Sequence, residues 1–363
     1  MKARVSGSIL RILVGLTAVA VGAGVLLRKP LVDGLMRRVV RSALTGKNVR
    51  VADGLYAGLC GTGSPLPDRD RAGPCVAVLA GGHFFLVDAG EGSTKNALLM
   101  NLPIGKADAI LLTHFHSDHI ADLGELELQR WVGGSNAAPI DVIGPAGVEQ
   151  VVDGFNLAFA LDAGYRVAHH GAATAPPTGA GGAAKPFELP AGPAGSAVVF
   201  DRDGVRITAF RVDHQPVAPA VGYRFDYEGR SVVISGDTVY SDSLLEHARG
   251  ADVLFHEALN AVLVQLMHEY ADRAGSPSLK KVTQDIPKYH STPEDAARIA
   301  AAAHVKHLIY YHVIPPLPSP ILKNMFRGAA KRYFDGPITI GEDGMLVFLP
   351  AHSDRIEIRN LLR

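Results

Sequence analysis

The sequence has few of the residues on which several classes of protein depend. Only two of its 363 residues are cysteine, Cys60 and Cys75, which excludes a disulfide-rich scaffold and a thiolate metal cluster. The two either pair across neighbouring strands or remain buried thiols. Basic and acidic residues both number 36, so the chain as a whole has no positive field to attract nucleic acid. From this balance we expect no nucleic-acid partner.

The chain also has little charge overall, and its hydrophobic content is high. Charged residues make up 20% and hydrophobic residues 47%, which excludes wholesale disorder and predicts a large folded core. From residue 51 onward, short apolar segments with polar last residues alternate with helical segments, so we expect a mixed α/β fold. Residues 171–196 are rich in alanine, glycine and proline and hold a single lysine, Lys185. This composition predicts a flexible insertion.

The first 50 residues differ in character from the rest. An uncharged apolar run covers residues 12–27 and has cationic residues on both sides, which is typical of a signal-anchor. A cleaved signal peptide is the alternative. Residues 31–44 place leucine, valine and methionine at helical spacing between arginines, which predicts a basic amphipathic helix on anionic headgroups. We therefore expect residues 1–50 to anchor residues 51–363 to a membrane, with residues 51–363 on the extracytoplasmic side. If the segment is cleaved instead, residues 51–363 would be secreted.

The densest group of chemically reactive residues is the segment "LLTHFHSDHIADLGEL", residues 111–126. His114 and His116 are two positions apart at the end of an extended run, so their side chains point the same way. Asp118 and His119 follow in the turn. Neutral imidazole with an occasional carboxylate is the donor set that zinc and similar divalent ions prefer. The spacing therefore predicts a metal site at a strand end.

With this motif the sequence resembles the metallo-β-lactamase-fold hydrolases, and most closely their ribonuclease Z and arylsulfatase-like branch, over roughly residues 51–350. The resemblance rests also on "LVDAGEG", "VDHQPVAPAVGYR", "ISGDT" and "YYHV". It implies a four-layer αββα sandwich, to which the expected N-terminal membrane-anchor helix is added. It further implies seven metal ligands, namely His114, His116, Asp118, His119, His214, Asp237 and His312.

The same resemblance implies two ions and assigns the roles around them. Asp237 would lie between the ions, and Asp88 would support the site from outside the ligand set. We expect zinc, with manganese or iron as alternatives, because no cysteine takes part. A hydroxide shared by the ions would attack the substrate, with Asp118 orienting it and His290 protonating the leaving group.

Two other groups of residues carry weaker expectations. His256, with Glu257 able to orient it, is expected to play a structural part rather than a catalytic one. His169 and His170 have no assignable partner, and we place them at the entrance of the pocket.

The substrate expected from the sequence is a small or lipid-derived ester: a sulfate, a phosphodiester or a lactone. The reasons are the expected membrane segment and the single cation, Lys185, in the insertion where ribonuclease Z enzymes carry a basic arm. The closest functional label is arylsulfatase-like. The alternatives are a ribonuclease Z-type RNA phosphodiesterase, a mononuclear iron persulfide oxygenase and a catalytically inert, membrane-tethered binding protein.

Overall fold

The computed structural model describes residues 28–30, 32–38 and 52–363. The chain divides into two compact units, Met1–Arg50 and Val51–Arg363. The apolar run at 12–27 lies outside the described residues, while residues 28–30 and 32–38 are helical and exposed. Within the described ranges, no helix is long and apolar enough to cross a membrane. The predicted membrane-anchor helix is therefore not supported.

Within residues 52–363, eight strands form the first sheet. They are β1 (Gly54–Gly61), β2 (Cys75–Ala80), β3 (His83–Val87), β4 (Ala109–Leu111), β5 (Ile140–Pro145), β6 (Gly182–Phe187), β14 (Met345–Pro350) and β15 (Glu357–Asn360). Their order is β15-β14-β1-β2-β3-β4-β5-β6, and β3 to β6 run parallel. The edge strand β6 falls inside residues 171–196, so this part of the predicted flexible insertion is regular structure.

Seven further strands of the same residues form the second sheet. They are β7 (Ser196–Arg202), β8 (Val205–Arg211), β9 (Val221–Tyr227), β10 (Arg230–Ile234), β11 (Val253–Leu259), β12 (His307–Ile314) and β13 (Ile338–Ile340). Their order is β13-β12-β11-β10-β9-β8-β7. The strands β10 to β13 are parallel, and β8 runs in the same direction because it is antiparallel to β9, which is antiparallel to β10.

Helices cover the outer faces of the two sheets. On the first sheet lie α1 (Ser93–Leu99), α3 (Leu123–Gly134) and α4 (Val148–His170), and the short α2 (Ser117–Ile120) lies at its edge. On the second lie α5 (Asp242–Ala248), α8 (Pro293–Ala302) and α9 (Pro320–Phe326), while α6 (Ala261–Arg273) and α7 (Pro277–Asp285) form a helical pair between β11 and α8. The predicted αββα sandwich is confirmed.

Strand residues alternate between the central core and the outer layers. On β10, Val232 and Ile234 point into the core between the sheets, whereas Val233 packs against the outer helices. On β3, Phe85 points inward and Leu86 outward. Each buried apolar side chain contributes about 1.5–3 kcal/mol, so both faces of both sheets stabilise the fold. This explains why the strands read as continuous apolar runs.

The carboxyl ends of the parallel strands meet at one edge of the sandwich. The chain leaves β3 at Asp88, which has a positive φ of 62°, and His312 near the end of β12 has a φ of 46°. Residues other than glycine rarely adopt a positive φ, so the surrounding structure must stabilise the backbone conformation of both residues. Polar residues leaving β3, β4, β8, β10, β11 and β12 therefore converge at this edge.

The two cysteines, whose state the sequence left open, form a disulfide. Cys60 is the penultimate residue of β1 and Cys75 begins β2, and both are buried. The bond joins the two ends of the loop 61–74. It therefore fixes the base of a loop that, as described below, forms one wall of the cavity beside the site.

Candidate metal centre

The segment 114–119 forms a tight turn between β4 and α2. His114 is buried three residues after the end of β4, His116 is the residue before the first turn of α2, and His119 is buried within that helix. The Nε2 atom of His114 lies 3.0 Å from Nδ1 of His116. Histidines that are close in the sequence therefore also have their ring nitrogens close together, at the edge of the sandwich.

One group of donor atoms forms around these two histidines. The Nε2 atom of His214, in the loop after β8, lies 3.4 Å from Nδ1 of His116. The Oδ2 atom of Asp237, after β10, lies 3.9 Å from Nε2 of both His114 and His214. One ligand atom from each of these four residues lies within 4.8 Å of the others.

A second group lies beside the first and shares Asp237. The Nε2 atom of His312 is 3.2 Å from Oδ2 of Asp118 and 3.3 Å from Oδ2 of Asp237. The Nε2 atom of His119 is 3.6 Å from Oδ2 of Asp118 and 3.4 Å from Oδ2 of Asp237. The structure thus brings all seven predicted ligands together, in two groups joined by one carboxylate. Two groups indicate a dinuclear site rather than the mononuclear one of an iron oxygenase.

The electrostatics of the cluster fit divalent cations. Nε2 of His119 and Oδ1 of Asp237 are buried and have no hydrogen-bond partner. Burial lowers the pKa of His119, but the carboxylates around it, Asp237 first, outweigh burial and hold that pKa well above its usual range. Burial lowers the pKa of His214 to about 4, so this ring is the neutral imidazole that a metal needs. A divalent ion binds carboxylate oxygens that have no positively charged partner, and it also binds neutral imidazole nitrogens.

Hydrogen bonds from outside the two groups orient two of the rings. Oδ2 of Asp88 lies 2.8 Å from Nδ1 of His119, and the backbone N–H of Thr113 donates to Oδ1 of the same carboxylate. Nδ1 of His214 donates to the backbone carbonyl of Tyr289 at 2.8 Å. Each contact occupies Nδ1 and leaves Nε2 to face the site, which is how ligand histidines are commonly held.

His290 lies over the second group, and its partner is Glu257. Nδ1 of His290 is 3.0 Å from Oε1 of Glu257, which also accepts the backbone N–H groups of Ser291 and Thr238. The ring stacks 5.4 Å from that of His312. From the sequence we expect Glu257 to orient its neighbour His256. This expectation is wrong, because the carboxylate contacts His290 instead. Because successive residues of a strand face opposite sides, the two side chains of β11 diverge, and this alternation was the signal available in the sequence.

Three predicted or unassigned histidines lie apart from the cluster. His256 is fully buried, and its Nδ1 bonds the backbone carbonyl of Glu257. His169 and His170 are exposed at the end of α4 and do not line the cavity next to the site. The expectation that they border its entrance is therefore wrong.

A cavity of about 850 Å³ opens beside Asp118. The loop 64–73 forms one wall, and the others come from α1, the start of α9 and the turn after β13. Arg69 and Lys95 line it and make no ion pair with any of the described residues. Of the seven predicted ligands, Asp118 borders this cavity, and its lining carries charges of both signs, with Asp70 and Glu91 beside the two cations.

Comparison with known proteins agrees with this geometry. Residues 83–313 match the beta-lactamase superfamily domain. Ribonuclease Z of Mycobacterium bovis is 40% identical over 287 residues, which are 78% of this chain and 95% of that protein. This chain belongs to the ribonuclease Z family. Ribonuclease Z of Mycolicibacterium gilvum is 41% identical over 289 residues, covering 78% and 93% of the two chains.

Solved structures show the same fold at lower identity. The metallo-beta-lactamase fold protein YhfI from Bacillus subtilis superposes with a TM-score of 0.59 at 22% identity, covering 82% of this chain and all of that one. The short form of human tRNase Z gives a TM-score of 0.55 at 22% identity, covering 80% and 98%. At 22% identity, these superpositions show that the fold is shared, and they are evidence for the fold alone.

These relatives overturn three expectations from the sequence. A small or lipid-derived ester as main substrate is wrong, and the sulfate and lactone options have no support, because the relatives at 40% identity are ribonucleases. The exclusion of nucleic acid is wrong for the same reason. It rested on the net charge of the whole chain, whereas phosphate binding depends on the charges close to the bound phosphate. The expected membrane-anchored, extracytoplasmic location is likewise wrong.

Proposed function

We propose that this chain is a ribonuclease Z-type RNA phosphodiesterase that cleaves precursor tRNA. The observation that carries the proposal is 40% identity to ribonuclease Z over 95% of that enzyme's length. The complete set of seven donor side chains supports it, because an inert binding protein would not need to keep every one of them in place. The adjacent His290–Glu257 pair supports it further.

The ligand set is proposed to hold two zinc ions. One ion would take His114, His116 and His214, the other would take Asp118, His119 and His312, and Asp237 would serve both. Zinc is proposed because every donor is nitrogen or oxygen and imidazole predominates. When bound, a pair of such ions lowers the pKa of water and polarises phosphoryl oxygens.

Asp118 is proposed to orient the attacking water. Its side chain borders the cavity, and its Oδ2 atom is held near Nε2 of His312. A carboxylate at this position accepts a hydrogen bond from water that enters from the cavity. Asp118 therefore directs an oxygen lone pair toward the phosphorus of a substrate bound over the cluster.

His290 is proposed to protonate the leaving ribose oxygen. Glu257 accepts the hydrogen bond at Nδ1, so the ring is held with Nε2 free to carry the transferred proton. Two backbone N–H groups donate to the same carboxylate oxygen. They hold Glu257, and through it the His290 ring, in position. His290 therefore acts on the substrate and Glu257 acts through it.

The test is cleavage of a precursor tRNA by the purified full chain at physiological salt, with an aryl sulfate and a lactone as alternative substrates. We expect RNA cleavage, its loss on chelation and its recovery with zinc, alongside close to two metal ions per chain. His116→Ala should abolish cleavage, while His169→Ala, a matched control at an exposed histidine, should not.

Two results would overturn the proposal. One is a metal-loaded chain that hydrolyses a sulfate or a lactone and leaves the RNA intact. The other is equal RNA cleavage by the His116→Ala and His169→Ala variants, because the observed nuclease would then not be this chain.

A further inference from the structure

The aromatic ring of Tyr289 lies beside the cluster and has no part in the mechanism above. Its centroid is 5.3 Å from that of His214, at 83° between the planes, and 5.0 Å from that of His290, at 51°. The backbone carbonyl of Tyr289, not the ring, holds His214. The ring is therefore free for another purpose at the border of the reaction site.

The Tyr289 ring packs against apolar side chains, and the residue remains partly exposed. It packs against a small buried apolar cluster formed by Leu259, Val264, Ile286 and Ile314. Tyr289 is nevertheless only half-buried, and its hydroxyl has no hydrogen-bond partner among the described residues. A fixed aromatic face that is partly exposed beside a reaction centre is suited to binding a flat ring.

The same cluster reaches the cavity through Leu66. This side chain packs with Tyr289 against the buried cluster and also lines the cavity that contains Asp118. Apolar side chains that pack against one buried cluster therefore lie both beside His214 and in the cavity that contains Asp118. A phosphodiester placed over the metal groups has one nucleoside on each side, so one of its bases lies toward Tyr289.

We propose that Tyr289, backed by the buried cluster against which Leu66 also packs, is a stacking platform for the unpaired nucleobase next to the scissile phosphate. The inference rests on the proposed RNA phosphodiesterase function and adds a binding subsite to it. Proteins that bind single-stranded nucleic acid commonly stack bases on aromatic side chains, with little dependence on which base is present. The subsite would therefore accept purines and pyrimidines alike.

The experiment compares wild type, Tyr289→Leu and Tyr289→Phe on three model RNAs of one sequence. One RNA is intact, one lacks the base 5′ of the scissile phosphate, and one lacks the base 3′ of it. On intact RNA we expect kcat/KM to fall by about 5- to 150-fold in Tyr289→Leu, the factor that corresponds to about 1–3 kcal/mol of stacking. Tyr289→Phe should recover most of this loss, and metal content should be equal in all three proteins.

The abasic substrates separate stacking from a structural role. Wild type should lose a similar factor on one of the two abasic RNAs, and Tyr289→Leu should lose no more on that RNA. Tyr333→Leu, a control at an exposed tyrosine on another face, should behave as wild type. Equal losses in Tyr289→Leu on intact and abasic RNAs, or a Tyr289→Phe variant as impaired as Tyr289→Leu, would overturn the subsite. Wild type that cleaves no RNA would instead overturn the proposed function itself.

Discussion

The carboxyl group of Glu127 gives the most quantitative prediction. Glu127 lies on α3, directly after the ligand turn, and its side chain is 2% exposed. Neither carboxylate oxygen has a hydrogen-bond partner, and the space beside Oε1 is filled by Gly182 of β6. Burial raises the pKa of this group from 4.5 to about 8. The folded chain therefore holds Glu127 in its protonated form at neutral pH.

The sign and size of the effect on stability follow from this shift. The unfolded carboxyl ionises near pH 4.5, while the folded one stays protonated until about pH 8. Rising pH therefore stabilises the unfolded state, and the group's contribution to folding is lost across this window. At about 1.4 kcal/mol per pH unit, the free energy of unfolding should fall by about 3 kcal/mol between pH 5 and pH 8.

The perturbation that tests this is Glu127→Gln, which keeps the shape and removes the titration. Urea unfolding of both proteins at pH 5 and at pH 8 gives the difference in free energy of unfolding between variant and wild type at each pH. We expect this difference to shift in favour of the variant by about 3 kcal/mol from pH 5 to pH 8. The unsatisfied amide of glutamine destabilises equally at both values and cancels in the comparison. Metal binding cancels in the same way.

A half-buried neighbour on the same helix provides the control. Glu125 accepts a hydrogen bond from Gln129, and Glu125→Gln makes the same substitution at this second site, so its unfolding is measured beside that of Glu127→Gln. If Glu127→Gln differs from wild type equally at pH 5 and pH 8, Glu127 titrates in the folded chain as it does in the unfolded one. The argument from burial would then be refuted.

Four further predictions concern the metal centre. His119→Ala should lose bound metal and RNA cleavage together, measured by metal analysis and by precursor cleavage. Asp88→Asn should weaken metal affinity by about 10- to 100-fold, measured by competition with a chelator, because the His119 ring loses its acceptor. His290→Ala should retain the metal and lower kcat by about 10²–10⁴-fold, the usual contribution of a proton donor. Glu257→Gln should lower kcat less than His290→Ala and also keep the metal, since it acts only by holding that ring.

Each of these predictions has an outcome that contradicts it. Full metal content in His119→Ala would remove that ring from the ligand set. An unchanged chelator competition for Asp88→Asn would show that the carboxylate does not support the site. Metal loss in His290→Ala would make that residue a ligand instead of a proton donor. A Glu257→Gln variant with a larger kcat defect than His290→Ala would show that the carboxylate acts on the substrate directly.

Net charge misled the prediction of the partner for a physical reason. The equal numbers of basic and acidic residues describe the chain as a sum, whereas a phosphate senses charges within about 10 Å at ordinary ionic strength. The cavity beside Asp118 gathers charged residues of both signs, among them Arg69, Lys95 and Glu91, from segments that meet only when the loop 64–73 folds against α1. Their joint position beside Asp118 cannot be read from composition.

Local patterns were enough for those parts of the fold that depend on neighbours in the chain. Thr292 and Pro293 predict a helix start, and α8 begins at Pro293 with a capping box between Thr292 and Asp295. The spacing of His114, His116 and their neighbours predicts a strand that ends in a ligand turn, and β4 followed by α2 shows it. In each case the interacting residues lie within about one or two turns of backbone.

The remaining ligands were found through resemblance, and only the folded chain could bring them together. His116 and His214 are 98 positions apart, and Asp118 and His312 are 194 apart. No local rule links such distant residues, because parallel strands are joined by crossover connections of about a dozen residues or more. Glu257 shows the same limit: its neighbour His256 is adjacent in sequence, but the alternation of β11 turns the two side chains apart and gives Glu257 to His290.

The sequence by itself predicted a metal-binding turn at residues 114–119, a mixed α/β fold and a large core. The tertiary structure decided which of the candidate ligands lie together, which carboxylate holds His290, and which charged residues border the cavity. The physical reason is that propensity, capping and turn geometry act over a few residues, whereas ligand geometry and local electric fields depend on distances set by the pairing of two sheets.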